Sequence, residues 1–323
     1  MKNFVLLPAA SLAEAANECA KPNTALKAGG VDLIDRMKEG LDSPERVVSI
    51  AGIRGLDRIA IGSPSRIGAL ATLAHIADHA DVRRVYPALA DAAGGAATPQ
   101  IRNMATLGGN IAQRPRCWYY RSGDFDCRKK GGNECYALEG ENRFHAIFDT
   151  DLVCVCVHAS ATATALVAYN ASAEIVSPKG KRSVPLDELF LKPVNDATRE
   201  IHLQPGEIIE AVTLPAPPAG ARSAYKKLKE KETFDWPLVE TCVALDLTGG
   251  SIRDARVVLG HVAQVPWRSK EAEAVLNGGK PSPELITKAA AAAVAAAKPL
   301  SMNAYKVRLA RVMLERTLRT ALA

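Results

Sequence analysis

Between Arg114 and His158 the chain gathers five of its seven cysteines, seven aromatic residues and four glycines, and no other feature limits the fold so strongly. Gly123, Gly131, Gly132 and Gly140 interrupt any regular period there. A loop of this length is uncommon unless it is functional, so the segment reads as an ordered loop built around something. An odd cysteine number, a long chain and this clustering favour metal ligation in a reducing compartment over a disulfide framework. Nine, seven and eighteen residues separate Cys117, Cys127, Cys135 and Cys154. With no C-x-x-C pair among them, the spacing fits no zinc finger.

The rest of the chain is ordinary globular material. Of 323 residues 48% are hydrophobic, enough for a substantial core in two or three packed units. The formal charge of +6 is spread along the sequence and gives little support to nucleic-acid binding. No run of eighteen uncharged apolar residues suggests a membrane span, and the opening MKNFVLLPAASLAEAANECA makes no convincing signal peptide.

Periodicity predicts a helix over residues 11–20, then a strand over 23–27, a Gly29-Gly30 turn and a helix over 31–38. Short β-rich runs follow at 46–53 and 57–61. Ser63 or Ser65 is expected to cap a helix carrying Ile67, Leu70, Leu73, Ala74 and Ala77, and a second helix is expected over 85–93. Residues 98–113 show no clean period and suggest a loop packed on a ligand. Residues 173–176 and 182–184 flank a hairpin turn, and 207–214 reads as a strand. PAPPAGARS, residues 215–223, looks like a linker with a boundary near 220. Two long β-rich runs, 238–247 and 252–262, and helices over 270–276, 283–297 and 303–322 complete the chain.

Paired glycines let backbone N–H groups approach an anion that side chains would hold away. In LKAGGVDL, Gly29 and Gly30 lie between a strand and a helix start, where free amides and the positive helix end both face a phosphate. A second pair stands in ATLGGN, with the Thr106 hydroxyl and Asn110 amide beside it. Neither spells a Rossmann or Walker motif.

The ordered strings AGGVDL, RNMATLGGNIAQRPRCWYYR, GENRFHAIF and VLGHVAQVPWRSKEAEAVL resemble the FAD subunit of the xanthine dehydrogenase family of molybdenum hydroxylases, over essentially the whole chain. The bacterial aldehyde oxidoreductase branch, whose flavin subunit carries an iron–sulfur insertion, is the most similar. The resemblance implies an α+β fold with a two-lobed FAD-binding domain of the vanillyl-alcohol oxidase type over 1–220, lobes about 1–60 and 61–220, and the insertion at 114–158. An antiparallel sheet with helices, of the CO dehydrogenase flavoprotein type, then covers 221–323. By position, Lys27, Ala28, Gly29, Gly30, Val31, Asp32 and Leu33 would cradle the pyrophosphate, Thr106, Gly109 and Asn110 would complete the phosphate and flavin contacts, and Ile209 and Lys226 would approach the ring. Two departures stand out: Val31 replaces a usual threonine, and Ala161 replaces the aspartate that contacts FAD in relatives, which implies weaker binding or a compensating neighbour.

In the insertion the resemblance implies one [4Fe-4S] cluster on Cys117, Cys127, Cys135 and Cys154, with zinc as the other metal to consider. Cys156 competes with Cys154 for the fourth place. His158 follows Cys154 at the interval seen in relatives, which favours Cys154. Cys156, Cys19 and Cys242 are then ordinary buried thiols, and His145 and His158 packed or hydrogen-bonded residues. Trp118, Tyr120 and Phe125 are placed to exclude water. Arg116, Arg121, Arg128, Lys129 and Lys130 would either offset a cluster charge of about −2 or form a solvated docking face.

No catalytic triad, carboxylate pair or zinc–water motif is present in the sequence, as expected if substrate chemistry lies on another chain. The resemblance implies a heterotrimer, or its dimer, with a molybdenum-cofactor large subunit and a [2Fe-2S] small subunit, electrons passing through this chain to an external acceptor. The compartment implied is the cytoplasm, or the periplasm by export with a partner. Two other classes compete: a stand-alone flavin oxidoreductase, which would turn over substrate alone, and a zinc-stabilised binding module, which would be colourless.

Overall fold

The structure, a computed structural model, describes residues 1–231 and 233–323. Its first lobe runs β1 (Val5–Pro8), α1 (Leu12–Cys19), β2 (Thr24–Lys27), α2 (Val31–Lys38) and β3 (Arg46–Ser49). The three strands form a parallel sheet in the order β1-β3-β2, with Val48 and Ile50 buried against Ala15 and Ala16 of α1. Ser11 caps α1 through Glu14 N, whereas Gly30 enters α2 at φ +81 with no side-chain cap. The first-turn amides of α2 are therefore left for another acceptor.

The second lobe begins with β4 (Ile59–Ala60) and β5 (Ser65–Gly68), then α3 (Leu73–Asp78), α4 (Ala80–Val85), α5 (Pro87–Gly94), α6 (Pro99–Met104) and α7 (Leu107–Ile111). After the insertion, with only α8 (Trp118–Arg121) and a 3-10 turn at Arg128–Lys130 as regular structure, come α9 (Ala161–Ala168), β6 (Ser172–Ser177), β7 (Gly180–Pro185), α10 (Leu186–Leu189) and β8 (Ile208–Leu214). The strands make an antiparallel sheet ordered β4-β5-β8-β6-β7. Ser65–Gly68 thus form a strand paired with β8, not the start of the expected helix. That helix begins at Leu73, where the Thr72 hydroxyl accepts from His75 N. Residues 98–113, expected as loop, form two short helices capped by Thr98 and Thr106.

The last part carries β9 (Ala221–Leu228), β10 (Val239–Thr248), β11 (Ser251–Gly260), β12 (Trp267–Arg268), α11 (Lys270–Leu276), α12 (Pro283–Ala293) and α13 (Tyr305–Leu322). Its antiparallel sheet, β12-β11-β10-β9, is apolar on both faces because successive residues alternate sides. Tyr225, Cys242 and Val258 join the core of the second lobe, while Ala224, Val243 and Val257 face the core beneath α11–α13. All eight residues of α9 are buried, and the helix packs on α5, α7, β10 and β11. A short helix buried on every side shows no apolar periodicity, which is why nothing in the sequence marked it. Among the described residues, no helix is long and apolar enough to cross a membrane.

Candidate functional site

A cavity of about 650 Å³ opens between the lobes and the last sheet. Both glycine turns line it: Lys27, Ala28, Gly29, Gly30, Val31, Asp32 and Leu33 from the first, and Thr106, Gly109 and Asn110 from the second, with Ile209 on β8. The turns touch. A β-carbon on Gly29 would stand 1.9 Å from the Met104 carbonyl oxygen, and on Gly108 2.9 Å from the Ala69 β-carbon. Only glycine fits at these positions, which lets the backbone of each turn pack closely on its neighbours at the cavity wall. The donor chemistry and the close-packed glycines suit a dinucleotide phosphate.

Lys226 lies outside the lining and Lys227 lies within it. Side chains alternate along β9, so the face that sends Tyr225 into the core sends Lys227, not Lys226, to the cavity side. At the replaced aspartate, Ala159 and Ala161 give the wall no charge. Ser160 and Thr162 flank the gap and donate to Asn110 Oδ1 at 2.6 and 2.7 Å. The Asn110 oxygen is thereby engaged, and its NH2 is the group left for a ligand.

The second site is a small pocket lined by Cys117, Cys127, Cys135, Cys154 and Cys156 together. Residues far apart in sequence have thus converged. Cys135 and Cys154 are in thiol–thiol contact, and Cys156 touches Cys154, so it is no remote core thiol. Burial pushes the Cys117 thiol up to about 12. Such a thiol ionises only when a cation binds. No three His, Cys, Asp or Glu among the described residues surround a single point as one metal ion needs. His145 Nε2 stands 3.2 Å from Cys117 Sγ, and burial, then Lys306, lowers its pKa to about 4. His158 instead packs edge-on against Phe190 and its Nδ1 accepts from Ser160 N. Tyr120 is buried beside the thiols, and Tyr119 packs on Phe125 and Tyr136.

The basic residues of the insertion have specific partners. Asp32 accepts from Arg114 N at 3.1 Å, from Arg121 Nη2 at 2.8 Å and from Arg116 Nη2 at 2.8 Å. Arg116 and Arg121 also reach Asp35, and Arg121 reaches Glu39. Burial raises the Asp32 pKa, but Arg116, Arg36 and Arg121 more than reverse this and hold it below the usual 3.8. Lys129, 4% exposed, donates to Glu200 at 2.6 Å and to the Ala197 carbonyl at 2.8 Å. Arg128 and Lys130 bind the Asn133 and Ser122 carbonyls. These cations brace the loop, which a solvated docking face would not do.

The GENRFHAIF string is clamped from the other side. Asn303 Nδ2 donates to the carbonyls of Asn142, His145 and Ala146, and Lys306 Nζ to those of Phe144, His145 and His261. Sequence reasoning missed this clamp and three cavity residues of the last sheet and its loop, Trp236, Glu240 and His261. Trp236 and Glu240 belong to no motif, and His261, although inside the VLGHVAQVPWRSKEAEAVL string, carries no feature that marks it as a cavity residue.

Comparison with known proteins agrees with an FAD-binding cavity. The family described as FAD binding domain in molybdopterin dehydrogenase matches residues 2–217, and the CO dehydrogenase flavoprotein C-terminal domain matches 223–321. The chain is 36% identical over 333 aligned residues to the aldehyde oxidoreductase FAD-binding subunit PaoB of Escherichia coli, covering 100% of this chain and 98% of that one. It is 29% identical to the carbon monoxide dehydrogenase medium chain of Afipia carboxidovorans, covering 92% and 88%. A solved carbon monoxide dehydrogenase from Hydrogenophaga pseudoflava superposes with a TM-score of 0.78 at 28% identity, covering 99% of this chain and 98% of that one.

Proposed function

The chain belongs to the FAD-binding subunits of the molybdenum hydroxylase family, and on that premise we propose that it is an electron-transfer subunit holding one [4Fe-4S] cluster as well as FAD. In this reading a molybdenum-cofactor large subunit oxidises an aldehyde or aromatic heterocycle, a [2Fe-2S] small subunit passes the electrons on, and this chain delivers them to an external acceptor. Flavin exchanges electrons singly or in pairs, whereas iron–sulfur clusters pass them singly, which is the chemistry a relay combines.

One observation supports the proposal: the helix that lines the glycine cavity is ion-paired to the loop of the five-cysteine pocket. Asp32 on α2 lines the cavity and takes Arg116 and Arg121 from the loop that presents Cys117. A loop braced in this way keeps its ligands at a fixed distance from the dinucleotide site. Within that frame the turns at Gly29-Gly30 and Gly108-Gly109 bind phosphate, and the Asn110 NH2 and Ile209 orient what lies beyond it. Cys117, Cys127, Cys135 and Cys154 hold the iron, and the Tyr120 and Tyr119 rings keep water out. The family names of medium chains and FAD-binding subunits support assembly with larger and smaller partners.

The test is purification of the full complex, expressed with its flanking genes, and assay of iron, sulfide and flavin. Iron should exceed what the [2Fe-2S] small subunit carries by about four per FAD, the content of the cluster assigned to this chain. Cys135→Ser should remove the iron of this chain and leave FAD bound. A colourless wild-type protein containing zinc would refute the relay.

A further inference from the structure

One wall of the dinucleotide cavity is unexplained by the glycine turns. It comes from the last sheet, where Glu240 on β10 and His261 just past the end of β11 line the space. Both are buried, at 1% and 4% exposure. Glu240 Oε2 lies 3.5 Å from His261 Nδ1, beyond a good hydrogen bond, and neither nitrogen of the His261 ring has a hydrogen-bond partner among the described residues. Burial pushes the Glu240 carboxyl up, but His261, Tyr225 and Lys227 more than reverse it and hold it below the ordinary range. A buried imidazole with idle nitrogens is unfavourable unless the space before it is filled by a polar ligand.

The backbone points the same way. His261 sits at φ +59, in the left-handed region that glycine adopts freely and side-chain-bearing residues rarely do. Such strain persists only where the surroundings impose it. Here Lys306 Nζ donates to the His261 carbonyl at 2.6 Å. Gly260 must be glycine, because a β-carbon there would lie 2.5 Å from Glu240 Oε2 and 2.6 Å from Thr164 Oγ1. Trp236 stacks on the imidazole with ring centroids 6.1 Å apart. A residue less suited to the backbone than glycine is thus held on a cavity wall, buried, with its polar atoms unused.

We propose that His261 is a ring-contact residue of the dinucleotide site, its Nε2 accepting a hydrogen bond from an N–H on the edge of the bound heteroaromatic ring, and that Glu240 is its positioning residue. The Glu240 carboxylate lies on the Nδ1 side of the ring, so Nε2 is the nitrogen turned to the ligand. This inference rests on the FAD reading above. Isoalloxazine and adenine both present an N–H edge, and the experiment separates them.

The assembled complex is stripped of flavin and titrated with FAD, FMN and ADP, for the wild type and for His261→Gly, Glu240→Gln and the double variant. His261→Gly relieves the backbone strain, so the stripped protein should melt no lower than wild type. FAD affinity should nevertheless fall about tenfold, the effect of one buried hydrogen bond. Loss of FMN affinity with ADP unchanged identifies isoalloxazine as the ring contacted, and the reverse identifies adenine. Because Glu240 acts through His261, Glu240→Gln should weaken FAD in the wild-type background and add nothing to His261→Gly. FAD affinity within twofold of wild type in His261→Gly overturns the contact, and additive losses overturn the role of Glu240. If the wild-type complex bound no FAD, the flavin reading itself would fail, a result distinct from either.

Discussion

Replacing Gly29 with alanine would drive a β-carbon to 1.9 Å from the Met104 carbonyl oxygen and 3.0 Å from its carbon, where ordinary contact begins at 3.4 Å. The obstacle is backbone at the end of α6, so no rotamer change relieves it. The two turns must part by about 1.5 Å to restore the 3.4 Å spacing. Overpacking of this kind costs about 1–3 kcal/mol of stability. The effect on FAD is larger in consequence, because a phosphate bridging the turns loses at least one charge-assisted hydrogen bond of about 1.5–3 kcal/mol. That is an affinity loss of about ten- to hundredfold. FAD titration of the flavin-stripped complex reads it directly, with the melting temperature followed in parallel. Gly52→Ala is the control, since nothing lies within 4 Å of its β-carbon position. Gly29→Ala with a dissociation constant within twofold of wild type and an unchanged melting temperature would refute the cradle.

Four further substitutions probe the insertion and its anchor on α2. Asp32→Asn removes the charge that Arg116, Arg121 and Arg36 share and should destabilise the protein by about 2–3 kcal/mol, read by denaturant unfolding. The folded pKa of Asp32 lies below 3.8, so the wild-type advantage is fully present above that pH and disappears as pH falls through the folded value; an advantage that persisted at lower pH would contradict the network. Cys154→Ser should abolish the cluster while Cys156→Ser retains its iron; the opposite pattern would move the fourth ligand to Cys156. His145→Phe should keep iron but lower the cluster potential, because it removes the polar contact of the ring nitrogen 3.2 Å from Cys117 Sγ. A tenfold change in the one-electron equilibrium is about 59 mV, within reach of a redox titration monitored by electron paramagnetic resonance.

Much of this was legible where local chemistry decides the outcome. Thr24–Lys27, the Gly29-Gly30 turn and Val31–Lys38 follow from a strand, a left-handed glycine and a helical period, and the structure has all three. The hairpin at Ser172–Pro185 and helix Lys270–Leu276 were read for the same reason. Reading failed where tertiary pairing overrode the local signal. Ile67 and Leu70 look like one helical face, yet Ser65–Gly68 pair with β8, and Ile67 is fully buried in the sheet. Val5–Pro8 and Ala221–Leu228 became strands by joining neighbours that no local window contains. At the site, motif residues on the glycine turns could be named in advance. Glu240 and His261 could not, because they lie twenty-one residues apart and meet only when β10 pairs with β11.

The insertion explains why cofactor loss should be local. Its own regular structure is a four-residue helix and a three-residue turn, too little to be stable alone. Its order comes instead from partners outside it: Asp32, Asp35 and Glu39 on α2, Glu200 before β8, and Asn303 and Lys306 near the start of α13. A small zinc domain unfolds without metal because the ligands are its main cross-links. Here the anchors are independent of the thiols, so removing iron from the purified complex with a chelator and a reductant should leave FAD affinity within about threefold of wild type, below one hydrogen bond in free energy. Hydrogen exchange should rise only around Cys127 and Cys135, which lie between the anchors. If iron removal released FAD or exposed the amides of α2, the metal itself would be the brace, and the ion pairs at Asp32 would be its consequence.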